Sequence, residues 1–505
     1  CYEGEQGAKE AAMSDSGTEP TVVLFGGTGD LAMRKLLPAL FKLWKQEEVG
    51  KPLVLALGRR VEHREAYLEQ VRGEVGAAKQ EPEAWRAFEA RLDYAYFDAS
   101  QQGAFAKLRR DIEEAESRAG VPGRRLFYLS VAPGLFDEIV EGLGHVGLLK
   151  KEPDVDADPW CRVVVEKPFG RDLESSIELD RTLHTRLSER QVFRIDHYLG
   201  KDTVQNLLAF RFANGMIEPL WNRNTIERVE IDVTETIGVG GRGAFYDEVG
   251  ALRDMMQNHM MQLVSLVAME PPASMGADDL RNEKVKVLRA IRTPDGPDEV
   301  ACTTTRAQYT AGKVGGERAV GYLEEEGVEE GSGTPTFAAA QLEIENWRWS
   351  GVPFRLVHGK RLDVKRTEIR ITFKTPPMRL FRLVGCPDEC PNVLTIRIQP
   401  EEEIFIRIGA KQPGGPFAID PVRLHFSYGE HFGGDLPEAY ERLLLDAIRG
   451  DAALFPRSDE VRAAWRWADA IREGWEALGQ ESMQRYEAGT PGAKTPWGTT
   501  GRLPG

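Results

Sequence analysis

Between Thr21 and Arg194 the chain alternates short apolar runs with longer stretches whose apolar residues recur every three to four positions. The runs at 21–25, 53–57, 94–97, 125–131, 161–166 and 192–195 are short and rich in β-branched and aromatic residues, a pattern that predicts strands. The stretches at 33–48, 62–77, 101–118 and 173–187 carry the helical period; Leu36, Leu37, Leu40, Phe41 and Trp44 share one face of the first. Repeated strand–helix alternation predicts an α/β domain built on a doubly wound parallel sheet, Rossmann-like in outline. After Lys201 the period drops to two. Arg228 to Glu235, Thr367 to Phe373, Leu394 to Ile398 and Glu403 to Ile408 alternate as strands with one buried face should. The expectation there is an α+β domain: a large antiparallel sheet covered by helices, including 246–269 and 435–449. Gly312 to Gly333, rich in Gly and Glu, reads as a mobile surface loop, and no internal repeat is visible.

Chemistry concentrates where these strands end. The first strand runs into Gly26-Gly27-Thr28-Gly29-Asp30-Leu31-Ala32 and then the first helix. Glycines permit a tight turn and let backbone N–H groups approach a pyrophosphate, and a helix N-terminus favours an anion. The spacing, Gly26-x-x-Gly29-x-x-Ala32, departs from the strict dinucleotide fingerprint and also suits an ordinary strand–turn–helix. The second strand ends in Gly58-Arg59-Arg60, where a chain that prefers NAD usually carries an acid for the ribose; arginines suit the 2′-phosphate of NADP. The competing reading is a solvated basic pair, with Glu62 near enough in sequence to neutralise either arginine. The fifth strand ends in Glu166-Lys167-Pro168-Phe169-Gly170, placing a lysine at the edge where open α/β sheets bind ligands. Arg194-Ile195-Asp196-His197-Tyr198-Leu199-Gly200-Lys201 then packs a carboxylate, an imidazole, a phenol and an ammonium into six positions. That set can orient a base and hold a phosphorylated substrate; taken alone it also reads as a polar loop in water.

Composition narrows the choices. The chain has 505 residues, 41% hydrophobic and 29% charged, enough for two domains with their own cores. A net charge of −15 argues against nucleic acid or an anionic membrane as the partner, so an anionic substrate needs a local basic pocket. No run of apolar residues approaches the length of a membrane span. The five cysteines are scattered and odd in number, and Cys386 and Cys390 lack a second pair or nearby histidine. Neither a disulfide framework nor a metal site is expected, and a reducing cytoplasm is the simplest setting. Cys1 to Thr18 is polar and does not read as a signal peptide; Met13 is a candidate start, with Cys1 to Ala12 an appended extension or a native tail.

With Asp254-Met255-Met256-Gln257-Asn258-His259, Val352-Pro353-Phe354, Gly359-Lys360 and Ile396-Arg397-Ile398-Gln399-Pro400 added, these motifs resemble the glucose-6-phosphate dehydrogenase family, in order and in separation. The resemblance runs from about Thr21 to somewhat beyond Tyr440. It implies hydride transfer from glucose 6-phosphate to NADP, with NAD a weaker alternative, in a cytoplasmic homodimer or homotetramer. It implies His259 as catalytic base with Asp196 as its orienting carboxylate. His197, Tyr198 and Lys201 would grip the phosphate, and Lys167, Glu235, Asp254, Lys360 and Lys365 would contact the substrate. Gly26, Gly27, Thr28, Gly29, Asp30, Leu31, Arg59, Asp98, Ala99, Tyr128 and Lys167 would contact the cofactor. Read from the residues alone, His259 is also compatible with a core histidine, and Glu235 and Asp254 with solvated acids. Arg366 and Arg397 are compatible with a second, structural NADP, but the C-terminal stretch does not match and none is predicted. The expected division is 1–20 disordered extension, 21–198 dinucleotide-binding domain, 199–488 substrate and dimerisation domain, and 489–505 flexible tail. Two other readings stand beside this one: another NAD(P)-dependent sugar oxidoreductase, and a non-catalytic NADP-binding sensor or scaffold on a dehydrogenase fold.

Overall fold

The computed structural model describes residues 19–121, 123–152, 157–378, the backbone of 382–383, 391–414, 418–433 and 437–498. Expectations for 1–18, for Cys386 and Cys390 and for 499–505 fall outside them. The chain forms two compact units: Cys1–Gly170 with Glu174–Gly200 and Pro437–Ser458, and Arg171–Leu173 with Lys201–Leu436 and Asp459–Gly505. Pro437–Ser458, expected inside a continuous second domain, thus folds with the first unit.

The first unit holds a six-stranded parallel sheet of β1 (Thr21–Phe25), β2 (Leu53–Gly58), β3 (Leu92–Tyr96), β4 (Arg125–Leu129), β5 (Cys161–Val165) and β6 (Val192–Arg194), in the order β3-β2-β1-β4-β5-β6. Strands covered on both faces must be apolar throughout, and β1 and β5 are buried at every position. The order reverses between β1 and β4, so a crevice opens beyond their carboxyl ends, the place where open α/β sheets take ligands. The first expected helix is a π-helical turn, Ala32–Leu36, continuing as Leu37–Lys45 with Leu37, Leu40 and Phe41 buried. Behind β6 the guanidinium of Arg194, 1% exposed, is paired with Asp180 at 2.6 Å and Glu189 at 2.6 Å, so the strand that leads into Asp196 is anchored by a buried ion triad.

The second unit is built on a ten-stranded sheet. Its strands are β7 (Ile226–Thr234), β8 (Thr304–Thr310), β11 (Phe337–Leu342), β12 (Phe354–Gly359), β13 (Arg366–Phe373), β14 (Arg382–Leu383), β15 (Val393–Gln399), β16 (Glu403–Lys411), β17 (Ala418–Ser427) and β18 (Gln484–Glu487). The large sheet, expected to be antiparallel, is mixed: β7–β12, β8–β18 and β14–β17 run parallel. The helical stretch expected at 246–269 is Gly243–Ala251, a π-helical segment Leu252–Met260, and Met261–Ala268, with Gly250 at φ +66° marking a break before the π segment.

Two expectations are corrected here. Gly312–Gly333 is not a mobile loop throughout: it holds the hairpin β9 (Gly312–Val314) and β10 (Glu317–Ala319), and Tyr322 is fully buried with its hydroxyl 2.6 Å from Asp247. The segment 489–498 is packed rather than flexible, with Ala493 and Thr495 buried and the Lys494 carbonyl accepting from Thr305 and Gln484. Among the described residues no helix is long and apolar enough to cross a membrane.

Candidate active site

In the first unit the glycine turn forms the floor of a cleft of about 360 Å³. Gly26 sits at φ +77°, and a Cβ there would stand 2.0 Å from the Ser130 carbonyl oxygen at the end of β4, so only glycine lets the turn lie against that strand. Gly29 donates its N–H to the Gly26 carbonyl at 2.9 Å, closing the turn. Gly26, Thr28, Gly29, Arg59, Asp98 and Ala99, six of the residues named from the sequence, all line the cleft. Arg59 and Arg60 stand exposed at its rim beyond β2. Arg59 faces Asp98 at 4.0 Å, and Glu62 pairs with neither arginine. Gly27, Asp30, Leu31, Tyr128 and Lys167 are not among the lining residues. Gly27 packs on β2, where a Cβ would meet Ala56 at 2.7 Å, and Asp30 points outward to Arg34 at 2.7 Å. The cleft adds Ser130, Val131 and Glu138 to the reading. For Ser130 and Val131 the available signal was position alone, directly after β4 at the switch point.

Tyr128 is fully buried, and its hydroxyl donates to Glu166 at 2.5 Å rather than lining the cleft. Tyr440, on the helix Ala439–Arg449 that returns to this unit, makes a second hydrogen bond to the same carboxylate. Burial pushes the Glu166 carboxyl above its ordinary range; the two phenols and Lys167 oppose this, and Asp196 adds to it. Sequence reasoning passed over Glu166 as a strand-end acid. Asp196 is 2% exposed and accepts the backbone N–H of Tyr198 at 2.9 Å; the rings of His197 and Tyr198 meet edge to face at 5.0 Å.

The second unit carries Lys201, Glu235, Asp254, His259, Lys360 and Lys365. Lys201 directly precedes the helix Asp202–Phe212. Glu235 follows β7 and Lys360 follows β12, and the register Thr234↔Gly359 makes them neighbours. Lys360, 2% exposed, places Nζ 2.5 Å from Glu235 and 4.0 Å from Asp254, and 5.0 Å from the centre of the Tyr246 ring. Burial alone would raise the Glu235 carboxyl, but His358 and Lys360 reverse this and hold it below its ordinary value. His358, fully buried with Nδ1 2.8 Å from the Val233 carbonyl, is itself pushed down by burial and by Lys360. It is therefore neutral near pH 7, and Lys360 is the cation that acts on Glu235. His259, 1% exposed, lies on the π-helical segment five residues after Asp254, one π-turn away. Lys365 is exposed and makes no ion pair among the described residues. Arg366 and Arg397, the candidates for a second cofactor, are engaged instead: Arg366 with Asp232 at 3.0 Å, Arg397 with Glu368 at 3.3 Å and with Glu403.

A family model for the NAD binding domain of glucose-6-phosphate dehydrogenase matches residues 23–206, and one for the C-terminal domain matches residues 208–497. The chain belongs to the glucose-6-phosphate dehydrogenase family. It is 42% identical to a glucose-6-phosphate 1-dehydrogenase of Chlamydia pneumoniae over 480 residues, covering 94% of this chain and 93% of that one. It is 44% identical to the enzyme of Aggregatibacter actinomycetemcomitans over 483 residues, covering 95% and 94%. Among solved structures, a glucose-6-phosphate dehydrogenase in complex with its substrate glucose 6-phosphate aligns with TM-score 0.83 at 33% identity, covering 94% and 95%. The Mycobacterium avium glucose-6-phosphate 1-dehydrogenase aligns with TM-score 0.77 at 34% identity, again covering 94% and 95%. The parallel sheet of the first unit, a large sheet in the second and the oxidoreductase family agree with the sequence reading.

Proposed function

We propose that this chain oxidises D-glucose 6-phosphate to 6-phospho-D-glucono-1,5-lactone with NADP as hydride acceptor, the first step of the oxidative pentose phosphate pathway. The observation that carries the reading is full-length kinship with named glucose-6-phosphate dehydrogenases in a chain that keeps Asp196-His197-Tyr198-Leu199-Gly200-Lys201 intact. The cleft suits a dinucleotide phosphate: a glycine turn with no room for a side chain at Gly26, a helical turn behind it, and two exposed arginines at the rim. Gly26, Thr28, Gly29, Asp98 and Ala99 would hold the cofactor, and Arg59 would meet the 2′-phosphate, favouring NADP over NAD. NADP supplies the hydride acceptor.

The chain's own residues supply the rest. His259 takes the hydroxyl proton of the sugar as hydride leaves carbon, and Asp196 holds the imidazole in the required tautomer and stabilises its charged form. His197, Tyr198 and Lys201 anchor the phosphate dianion with charged and hydroxyl donors. Lys167 hydrogen-bonds the reacting end of the substrate. The Lys360–Glu235–Asp254 cluster supports this reading, since it offers sugar hydroxyls one cation and two carboxylates already oriented by each other. Lys365, exposed beyond it, is a further substrate contact. The cytoplasm and a homodimer or homotetramer complete the proposal. The deciding experiment is steady-state reduction of NADP by the purified protein with glucose 6-phosphate and with glucose. Turnover confined to the phosphorylated sugar is expected; no turnover with either would refute the reading and favour a non-catalytic NADP sensor.

A further inference from the structure

A second cleft, of about 350 Å³, lies in the second unit where β8 and β18 pair in parallel from Ala307 and Gln484. Arg306 projects from β8 into its wall and is 9% exposed. One of its terminal nitrogens donates to the carbonyls of Trp475 at 2.6 Å and Gly479 at 2.5 Å and to the Ser482 hydroxyl at 2.9 Å. These acceptors are neutral. Its Nε has no hydrogen-bond partner, and no carboxylate of the described residues lies within ion-pair distance. Glu476 is the carboxylate whose field reaches Arg306, and it is already bound to Arg472 at 2.6 Å. A second cation, Lys494, stands at the opening, exposed and likewise without an ion pair among the described residues. Its backbone is fixed from both sides: the carbonyl accepts from Thr305 Oγ1 at 3.0 Å and Gln484 Nε2 at 3.1 Å, and the N–H donates to Gln484 Oε1 at 3.2 Å.

A buried guanidinium is ordinarily matched by a carboxylate, because the cost of taking the charge out of water is otherwise uncompensated. This chain follows that rule at Arg194, Arg211 and Arg281, each paired with acids, whereas Arg162 is held by the carbonyls of Ala447 and Ile448. At Arg306 it does not, and burial pulls that guanidinium below its ordinary range. In a protein with net charge −15, two unmatched cations converging on one cleft form a local reversal of sign. We propose that this cleft is an anion site, separate from the cofactor cleft, that binds the phosphate group of a small ligand between Arg306 and Lys494. The dianion accepts from Lys494 Nζ and from the part of the Arg306 guanidinium that lines the cleft, supplying the counter-charge both lack, and the open volume leaves room for a small organic body beyond the phosphate. The site does not depend on the proposed dehydrogenase activity.

The test uses the full chain and inorganic phosphate as probe, by isothermal titration calorimetry. Lys201→Ala is the background, because it weakens the phosphate anchor proposed for the catalytic site. In that background phosphate binding is expected to persist. Adding Lys494→Glu is expected to weaken it at least tenfold, the scale of one lost charge-assisted hydrogen bond. Lys313→Glu, an exposed lysine of the same unit outside the cleft, is the control for net charge and is expected to change binding less than twofold. Arg306→Gln is expected to abolish binding at that site; because it also disturbs three internal hydrogen bonds, its folding is checked by thermal melting, and Lys494→Glu decides if it fails to fold. Phosphate binding absent from Lys201→Ala, or weakened equally by Lys494→Glu and Lys313→Glu, overturns the proposal. Either result leaves the turnover experiment unaffected, so the two readings fail separately.

Discussion

Lys360→Met removes the cation of the Lys360–Glu235–Asp254 cluster while keeping all but the last atom of the side chain's length. Lys360 is 2% exposed and Glu235 26% exposed, so the pair is largely but not wholly withdrawn from water. Breaking a fully buried pair by removing one partner costs about 3–5 kcal/mol. With a quarter of Glu235 in solvent, about 1–3 kcal/mol is expected near pH 7. The sign of the pH dependence is the sharper test. In the native protein the Glu235 carboxyl is held below its ordinary value near 4.5. Its contribution to stability is therefore fully present above that value and is lost as pH falls through the lower folded pKa. Without Lys360, and with His358 opposing only once acidification protonates it, burial and Asp254 both push the carboxyl up. Its charged form then costs stability, and the cost disappears as pH falls below about 4.5. His358 moves the same way: it loses the cation that depresses it while keeping Glu235 and Asp254, so acidification lets it take up a proton in the folded variant. Urea unfolding of both proteins, followed by tryptophan fluorescence at a series of pH values, reads the difference, in which groups common to both cancel. The difference should be largest near pH 7 and shrink toward pH 4.5. A difference that is constant or grows on acidification would refute the electrostatic account and leave Lys360 as a packing residue.

Arg59→Ala should weaken NADP binding at least tenfold, the loss of one charge-assisted contact to a phosphate, while leaving NAD unchanged. Equal losses for both cofactors, measured by fluorescence titration, would make Arg59 structural. Lys201→Ala should raise KM for glucose 6-phosphate well above any change in kcat, and an unchanged KM would remove it from the phosphate anchor. His259→Asn should keep the fold and lower turnover by about a hundred- to ten-thousand-fold or more, with Asp196→Asn lowering it by less. The acid limb of the native pH–rate profile should vanish or move in His259→Asn; near-native turnover with that limb unchanged would transfer the role of base, with His197 next in line.

The features readable from the chain were those set by near neighbours. The strands β1 and β5 are apolar at almost every position because both faces are covered, and the glycine turn follows β1 directly, so strand, turn and cleft floor were visible together. Helix Phe136–His145 was missed because it follows Pro133-Gly134 and contains Gly142 and Gly144, all of which read as turn; four buried residues hold it against the sheet regardless. The stretch 489–498 looked like a tail because Gly, Pro and Thr bury little, yet its order comes from β8 and β18, which no local composition can announce.

Tyr128 illustrates the same limit at the site. The family resemblance implied a cofactor contact for it, and its register opposite Val164 of β5 directs the hydroxyl to Glu166, the second residue beyond that partner. Lys360 and Glu235 are 125 residues apart and touch because β7 and β12 pair with Thr234 opposite Gly359. A slip of one residue in either strand would turn its buried side chains to the other face, so the apolar pattern that fixes the core also fixes this ion pair. Residue identities at strand ends therefore announce which chemistry the chain carries. The register between strands, written in the apolar positions far from those ends, determines which of the charged groups meet.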